Sequence, residues 1–326
     1  MACPPLLSTP MRHFLEVAQA GSVHRAATRL FVAPSAVSRQ IAKLEDGLGT
    51  PLFERQSRGM VLTAAGQRLA GHLRHVVLDA EQVLDQVRHL GRQSAARVRV
   101  CCTEGFASGF MPAFMQAFMA DTPGSQIELL VGSPDEVAGW VLRGDADIGL
   151  KYAVAPEPGL RVAHAAQAPV MAVMAPDHPL AGRSVVTLPE VVGYPLLVGS
   201  QGMTARQLFD LACSARGLRY TPVFVSNFSS VMLPLLRSPQ VLLSGLLTVH
   251  HLLSAGQAVV RPFDEPVLTQ RRLLVLALEG RTLSGPVAAC IERMIDFVGR
   301  HSGEPAAPAS AAGPLRAGPD AATPQG

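Results

Sequence analysis

Between Thr9 and Leu48 the chain spells three helices separated by breaks of two or three residues, and no other stretch constrains the fold as tightly. Thr9-Pro10 reads as a helix start, with a cap and a first-turn proline. Met11, Phe14, Leu15 and Ala18 then recur on one face until Gly21 stops the helix. Ser22 reads as the cap of a second helix, whose Ala26, Ala27 and Leu30 point inward, and the small Ala pair lets helices approach closely. Phe31-Val32 is expected to fill the turn. In the third segment, Pro34 fits the first helical position, where its missing N–H costs nothing. Ala36, Val37, Ile41 and Leu44 make an apolar stripe. Ser35, Ser38, Arg39 and Gln40 lie largely off it, near the helix start. Short hydroxyls and one forked cation there suit base edges and phosphates, so this segment reads as the groove-entering helix of a helix-turn-helix.

Charge agrees with that reading. Residues 1–68 hold eight Arg and Lys against four Asp and Glu, a net of +4, whereas the whole chain carries +3. The excess therefore sits at the front, as in a DNA reader joined to a neutral cargo domain. At 326 residues, 48% of them hydrophobic and 16% charged, more than one globular domain is expected. No apolar run has membrane-span length and the N-terminus lacks signal-peptide order, which places the chain in the cytoplasm by expectation. Five cysteines, with Cys101 and Cys102 adjacent and no CxxC pair, argue against a disulfide framework or a zinc site. Neither a metal nor another cofactor is expected.

The front of the chain resembles the DNA-binding domain of LysR-type transcriptional regulators. The resemblance runs from Met11 through Thr63 to Gly66. It includes Gly21-Ser22, Ala26-Ala27-x-x-Leu30, Ala36-Val37-Ser38-Arg39-Gln40-Ile41, Leu44-Glu45, Leu48-Gly49 and Leu52-Phe53-Glu54-Arg55. So many fixed residue types at fixed spacing make the match specific. Two departures stand out. Ala33 replaces the family's usual capping Ser, at a cost of roughly 1 kcal/mol, and Ala64 follows Thr63 where Glu or Pro is common. Residues 52–55 and 60–62 read as a hairpin around Gln56-Ser57-Arg58-Gly59, which the resemblance makes a wing beside the recognition helix. The DNA-facing candidates are Ser22, Pro34, Ser35, Ser38, Arg39, Gln40, Arg55 and Arg58, the last two for the backbone or minor groove.

Thr63 is expected to cap a long helix reaching about residue 92. Leu69, Leu73, Val76, Ala80, Val83, Val87 and Leu90 alternate steps of four and three, the seam of a two-chain coiled coil. Packing on the helix's own domain is the alternative. His72 and His75 lie three apart without a further ligand nearby, a poor metal site. Residues 91–96 read as a hinge.

From Arg97 short buried strands alternate with helices: strands at 98–102, 127–131 and 148–152, then 170–175, 223–226 and 241–243, with helices near 110–120, 135–143, 204–216 and 231–237. That order predicts parallel sheets covered by helices. A strand at 271–278 returns to the first lobe and a helix at 287–298 closes it. Crossovers near 163–169 and 261–267 leave a cleft between two lobes. Gly144-Asp145-Ala146-Asp147-Ile148-Gly149 and Asp177-His178-Pro179-Leu180-Ala181 resemble the LysR-type effector-binding domain, a relative of type 2 periplasmic binding proteins. A departure lies at 238–243, where the family's Gly-x-Gly-Ile-type segment reads Ser-Pro-Gln-Val-Leu-Leu.

The resemblance implies that Thr103, Glu104 and Gly105 touch an effector. Ser200, Gln201, Met203 and Thr204 precede a second-lobe helix, and Ser133, Asn227 and Phe228 come from flanking loops. Caps and turns are the alternative role for the Ser, Thr and Asn among them. Glu104 points toward a zwitterionic or cationic effector, or to a cap.

The expected fold is α/β: an all-α winged helix-turn-helix (1–66), a linker and dimerisation helix (67–96) and a two-lobed effector domain (97–299). Lobe I takes 97–163 and 267–299, lobe II takes 168–262, and the Ala- and Pro-rich 300–326 is too poor in apolar surface to fold. The expected function is promoter binding modulated by an organic acid or amino-acid-like molecule. The expected partners are double-stranded DNA and further copies of the chain, as a dimer and a tetramer, with no membrane. No nucleophile elbow, phosphate loop or metal triad suggests an enzyme. Two alternatives stay open: a solute-binding module without promoter control, and a regulator switched by the Cys101 and Cys102 thiols.

Overall fold

The computed structural model describes residues 7–56, 59–88 and 97–301. The chain divides into two compact units, one ending at Gln93 and one beginning at Ser94.

The first unit comprises α1 (Thr9–Ala20), α2 (Val23–Leu30), α3 (Pro34–Leu48), β1 (Phe53–Gln56), β2 (Gly59–Leu62) and α4 (Ala64–Arg88). Phe14, Val17, Ala26, Ala27, Val37 and Ile41 close a core between the first three helices, to which Leu52, Ala70 and Leu73 are added. Gly21 ends α1 in the left-handed region, φ 63°. Thr9 is the first helical residue rather than the cap, and that place belongs to Ser8. The turn before α3 also departs from expectation. Phe31 adopts φ 56° and is 95% exposed, so it projects from the turn instead of filling it.

The wing is fixed by the helices beneath it. Glu45 Oε1 of α3 accepts the backbone N–H groups of Leu52 (2.7 Å) and Phe53 (3.2 Å). Met60 N–H donates to Gly21 O at 3.0 Å, and the same carbonyl lies where a Cβ on Gly59 (φ 124°) would be. Thr63 donates to Pro51 O and accepts from Gly66 N–H, capping α4 while tying it to the wing.

The apolar seam of α4 divides. Leu73 is buried in the unit's own core with Leu69 packed on it, Val76 is half-buried and Ala80 is buried, whereas Val83 and Val87 are 52% and 58% exposed. Leu73 is therefore taken up by the core of its own unit, a correction to the seven-residue seam, while Leu69 is covered only in part. Geometry gives the reason: a helix of 25 residues spans about 37 Å and α1, on which it packs, about 18 Å. Leu90 and the expected hinge lie outside the described residues.

The second unit begins with lobe I: β3 (Arg97–Thr103), α5 (Glu104–Ala107), α6 (Phe110–Asp121), β4 (Gln126–Gly132), α7 (Pro134–Arg143), β5 (Ile148–Ala153) and β6 (Leu160–Gln167). Lobe II follows with β7 (Met171–Met174), α8 (Leu188–Val192), β8 (Leu196–Gly199), α9 (Thr204–Ala215), β9 (Phe224–Ser226), α10 (Ser229–Met232), β10 (Val241–Ser244), α11 (Leu246–Ser254) and β11 (Val259–Pro262). The chain then returns to lobe I as β12 (Arg272–Leu278) and α12 (Gly285–His301).

Each lobe holds a five-stranded sheet, ordered β4-β3-β5-β12-β6 and β11-β7-β10-β8-β9. Neither is wholly parallel, contrary to the pattern-based expectation. β12 runs antiparallel to β5 and β6, and β7 antiparallel to β10 and β11, because these strands flank the crossings between lobes instead of following a helical return. The lobe boundaries shift too. β6 keeps residues to Gln167 in lobe I, while Phe263 and Leu268 belong to the lobe II core, so the second crossing falls at 270–271. The helix expected at 231–237 is the four-residue α10 plus a 3-10 turn, since Pro234 cannot donate an interior helical hydrogen bond. α12 takes in Arg300 and His301, and 302–326 lie outside the described residues.

Two polar anchors account for the motifs noted in the sequence. Asp147 accepts from Arg99 (2.9 Å) and Arg281 (2.7 Å), pinning β5 to β3 and to the segment after β12. Burial opposes its charge, but these bonds prevail and hold its pKa below the usual carboxylate range. His178 Nδ1 accepts Leu180 N–H at 3.0 Å, which leaves Nε2 to donate to Pro239 O at 3.1 Å. That acceptor is a backbone carbonyl, so the unusual Ser-Pro-Gln segment still supplies it.

Candidate functional site

Two surfaces carry the sequence-predicted residues. On α3, Ser35 and Arg39 are exposed, and Pro34, Ser38 and Gln40 are half-buried, while Val37 and Ile41 are turned into the core. Among the described residues no ion pair holds Arg39. Ala33 offers no side-chain cap to α3. Ser22 accepts Arg25 N–H at 3.5 Å, so its hydroxyl caps α2 and stands at the start of that helix. Arg55 lies on β1 opposite Met60, and Arg58 lies outside the described residues.

The second surface is the cleft between the lobes. Thr103, at the end of β3, is buried and its Oγ1 has no hydrogen-bond partner among the described residues. Glu104 opens α5 and is also buried. It does cap, but across the cleft: its carboxylate accepts the N–H groups of Ser229 and of Ser230, the latter at 3.0 Å, both in lobe II. Gly105 lies so near α11 that a Cβ there would meet Thr248 Oγ1 at 3.0 Å. Thr204 donates from α9 to Tyr152 O of β5 at 3.1 Å, a second bond between lobes.

Of the candidates, Gly105 and Thr204 both lie against Tyr152, and Glu104 reaches the segment that follows Asn227 and Phe228, while Thr103 is their neighbour only along the chain. Ser133 forms a capping box with Glu136 on α7, and its hydroxyl is engaged there. Met203 caps α9 through its backbone, with its side chain against Gly199. Ser200 is half-buried, whereas Gln201, Asn227 and Phe228 are exposed.

Sequence reasoning missed the floor of the cleft. Arg271 is buried and donates to Ala168 O (2.6 Å), Pro169 O (2.9 Å) and Ser244 O (3.2 Å), gathering the chain crossings with the end of β10. Its guanidinium lies 4.3 Å from the Tyr152 ring centre, and Tyr152 stacks on Phe106. Burial lowers the Arg271 pKa to about 10, and burial raises that of Tyr152. A lone Arg beside Arg272 at a strand start carries no local signal, which is why pattern alone passes over it.

Cys101 and Cys102 do not face the cleft. Cys101 Sγ is directed at Val137 O of α7, and Cys102 is in the lobe I core. Burial, foremost, pushes both thiols up to about 12, which suppresses the thiolate that oxidation requires. Among the described residues no group of His, Cys, Asp and Glu could hold a metal, and no helix is long and apolar enough to cross a membrane.

Residues 9–67 match the model for bacterial regulatory helix-turn-helix proteins of the lysR family, and residues 91–298 match that for the LysR substrate binding domain. The chain belongs to the LysR family. It is a transcriptional regulator, not an enzyme, and pairs a DNA-binding unit with an effector-binding one. Among LysR relatives, the regulator CbbR of Rhodospirillum rubrum is 30% identical over 292 residues, 88% of this chain and 94% of that one. The regulator IlvY of Escherichia coli is 27% identical over 200 residues, 61% and 67% respectively. A full-length OxyR variant from Pseudomonas aeruginosa shares the fold, with TM-score 0.59 and 21% identity over 90% of this chain and 95% of that chain.

Proposed function

We propose that this regulator reads a two-fold operator through paired copies of α3 and that a small molecule between the lobes alters how the pair sits on DNA. The observation that carries the reading is the pairing of an exposed, hydroxyl- and Arg-bearing helix face with a cleft whose lobes are bridged by polar side chains, Glu104 to the Ser229 and Ser230 amides and Thr204 to Tyr152 O. Ser35, Ser38, Arg39 and Gln40 would reach base edges, and Ser22, Arg55 and Arg58 phosphates, with Pro34 at the groove edge. Thr103, Gly105 and Thr204 would meet the effector. We assign Ser133 to capping only.

Self-association follows from surface left uncovered in one chain. Val83 and Val87 on α4 are exposed, as are Leu129 and Val131 on edge strand β4 and Val225 on edge strand β9. Such apolar edges invite a second copy. Two copies would set two recognition helices about 34 Å apart, or a multiple of that. We infer a dimer and, through the edge strands, a tetramer, acting on promoters in the cytoplasm. The effector would be an organic acid or an amino-acid-like molecule that shifts one quaternary state over another.

Footprinting of promoter fragments with the purified full chain, alongside a thermal-shift screen of small carboxylates and amino acids, tests the reading. Protection of two half-sites and a saturable rise in Tm are expected. No protected fragment would sink the DNA half, and a flat screen the effector half. The Val83→Asp variant should sediment as a smaller species, and an unchanged profile would remove α4 from the dimer.

A further inference from the structure

The lobes of the effector unit are fastened together by a carboxylate that belongs to the chain itself. Glu104 of lobe I is 7% exposed, and it accepts two consecutive backbone N–H groups of lobe II, those of Ser229 and Ser230. Ser229 is itself 5% exposed. An ionised carboxylate withdrawn from water needs such donors, and two convergent N–H groups are strong ones for it. Next to Glu104 stands the Thr103 hydroxyl, unpartnered among the described residues, and Thr204 to Tyr152 O supplies a further tie between lobes. The cleft thus already contains a carboxylate seated on amides.

We propose that Glu104 is a tethered anion occupying the carboxylate seat of the cleft, so that the lobes close on each other without a ligand. A carboxylate-bearing effector gains the seat by displacing Glu104 from the Ser229 and Ser230 amides. This rests on the effector reading of the cleft and specifies its regulation. It also accounts for a buried acid in a site otherwise suited to an acidic ligand.

Hydrogen exchange of the full-length protein, followed on fragments covering 226–232, tests it with acetate as probe and chloride at matched ionic strength as control. In the wild type these amides should exchange slowly, whichever salt is present. Glu104→Ala should speed the exchange of Ser229 and Ser230 by about tenfold or more, and acetate, not chloride, should slow it again by filling the vacated seat. Glu104→Gln keeps the side chain's length and should exchange faster than wild type with no acetate effect, because the seat stays filled. It also serves should the Ala variant fold poorly. Protection in both variants equal to that of the wild type, or equal responses to acetate and chloride in Glu104→Ala, would overturn the proposal. The thermal-shift screen on the wild type reports separately on the effector reading: acetate rescue with a flat screen keeps the tethered anion and removes the effector.

Discussion

The recognition face of α3 and the cleft between the lobes handle their polar groups in opposite ways. On α3 the exposed Ser35 and Arg39 are held out by a helix whose buried face, Val37 and Ile41, does the packing. In the cleft the polar groups bind one another across the gap: Glu104 to the Ser229 and Ser230 amides, Thr204 to Tyr152 O, Arg271 to three carbonyls. The face proposed to read DNA is ready before its partner arrives, whereas any ligand of the cleft must compete with bonds already made. On the proposed reading, the resting state of the switch is written into the chain, and an effector would act by replacing contacts as well as by adding them.

The largest effect should come from the floor of the cleft. Arg271→Ala strands the carbonyls of Ala168, Pro169 and the buried Ser244 and leaves a gap beneath Tyr152, and we expect a loss of about 3–4 kcal/mol in the effector unit. Calorimetry should show that unit melting earlier, while the DNA-binding unit keeps its transition. A wild-type melting profile would mean that the crossings do not depend on this side chain, and the contrast between open and self-bonded surfaces would lose its strongest support.

Arg39→Ala probes the other side of the contrast. With no ion pair to lose among the described residues, the variant should melt like the wild type yet bind its operator about 1–3 kcal/mol more weakly at fixed salt. Unchanged affinity would show that α3 is not the reading helix. A fall in stability would show that Arg39 is engaged by its own chain after all.

The two surfaces also differ in how far the sequence announces them. The three helices and wing rest on contacts within about fifty residues, so Gly21, Ala26-Ala27, Pro34, Glu45 and Thr63 each disclose a local job. Phe31 is the exception. An apolar residue in a short break suggests filling, and only the structure shows it standing out in the left-handed region. In the cleft the partners of Glu104 are 125 and 126 residues away, and Arg271 reaches back more than a hundred. No periodicity encodes such pairings. The strands were legible as short buried runs, but the antiparallel course of β7 and β12, and the true ends of the lobes, depend on which strand neighbours which.

Acidification should weaken the effector unit through His178. His178 is neutral, one ring nitrogen accepting Leu180 N–H and the other donating to Pro239 O. Burial lowers its pKa, against the opposing pull of the Pro239 carbonyl and Asp177. A depressed folded-state value means that the unfolded chain binds the proton more readily. Stability is therefore present above about pH 6.5 and declines as the pH falls below it. The effector unit should melt at lower temperature at about pH 5.5 than at about pH 7.5, two points that bracket that window. The pKa of His250 is likewise depressed by burial, so His178→Asn should make this slope shallower without abolishing it, and a slope retained in full would acquit His178.

The smallest expected change lies where the open surface is weakest. α3 begins after Ala33, whose backbone is extended, φ −69° and ψ 143°, the conformation of a capping residue without a capping side chain. A hydroxyl at that position would accept an N–H from the first turn, so Ala33→Ser should add about 1 kcal/mol to the DNA-binding unit and nothing to the effector unit. The same hydroxyl stands beside Pro34 and Ser35 at the start of the helix proposed to enter the groove. Stability and operator affinity, measured together, therefore distinguish two reasons for the alanine. If the variant is steadier and binds the operator as well as before, Ala33 is merely an imperfect cap. If it is steadier but binds less well, the alanine methyl is part of the reading surface, as apolar contact to a thymine methyl would require.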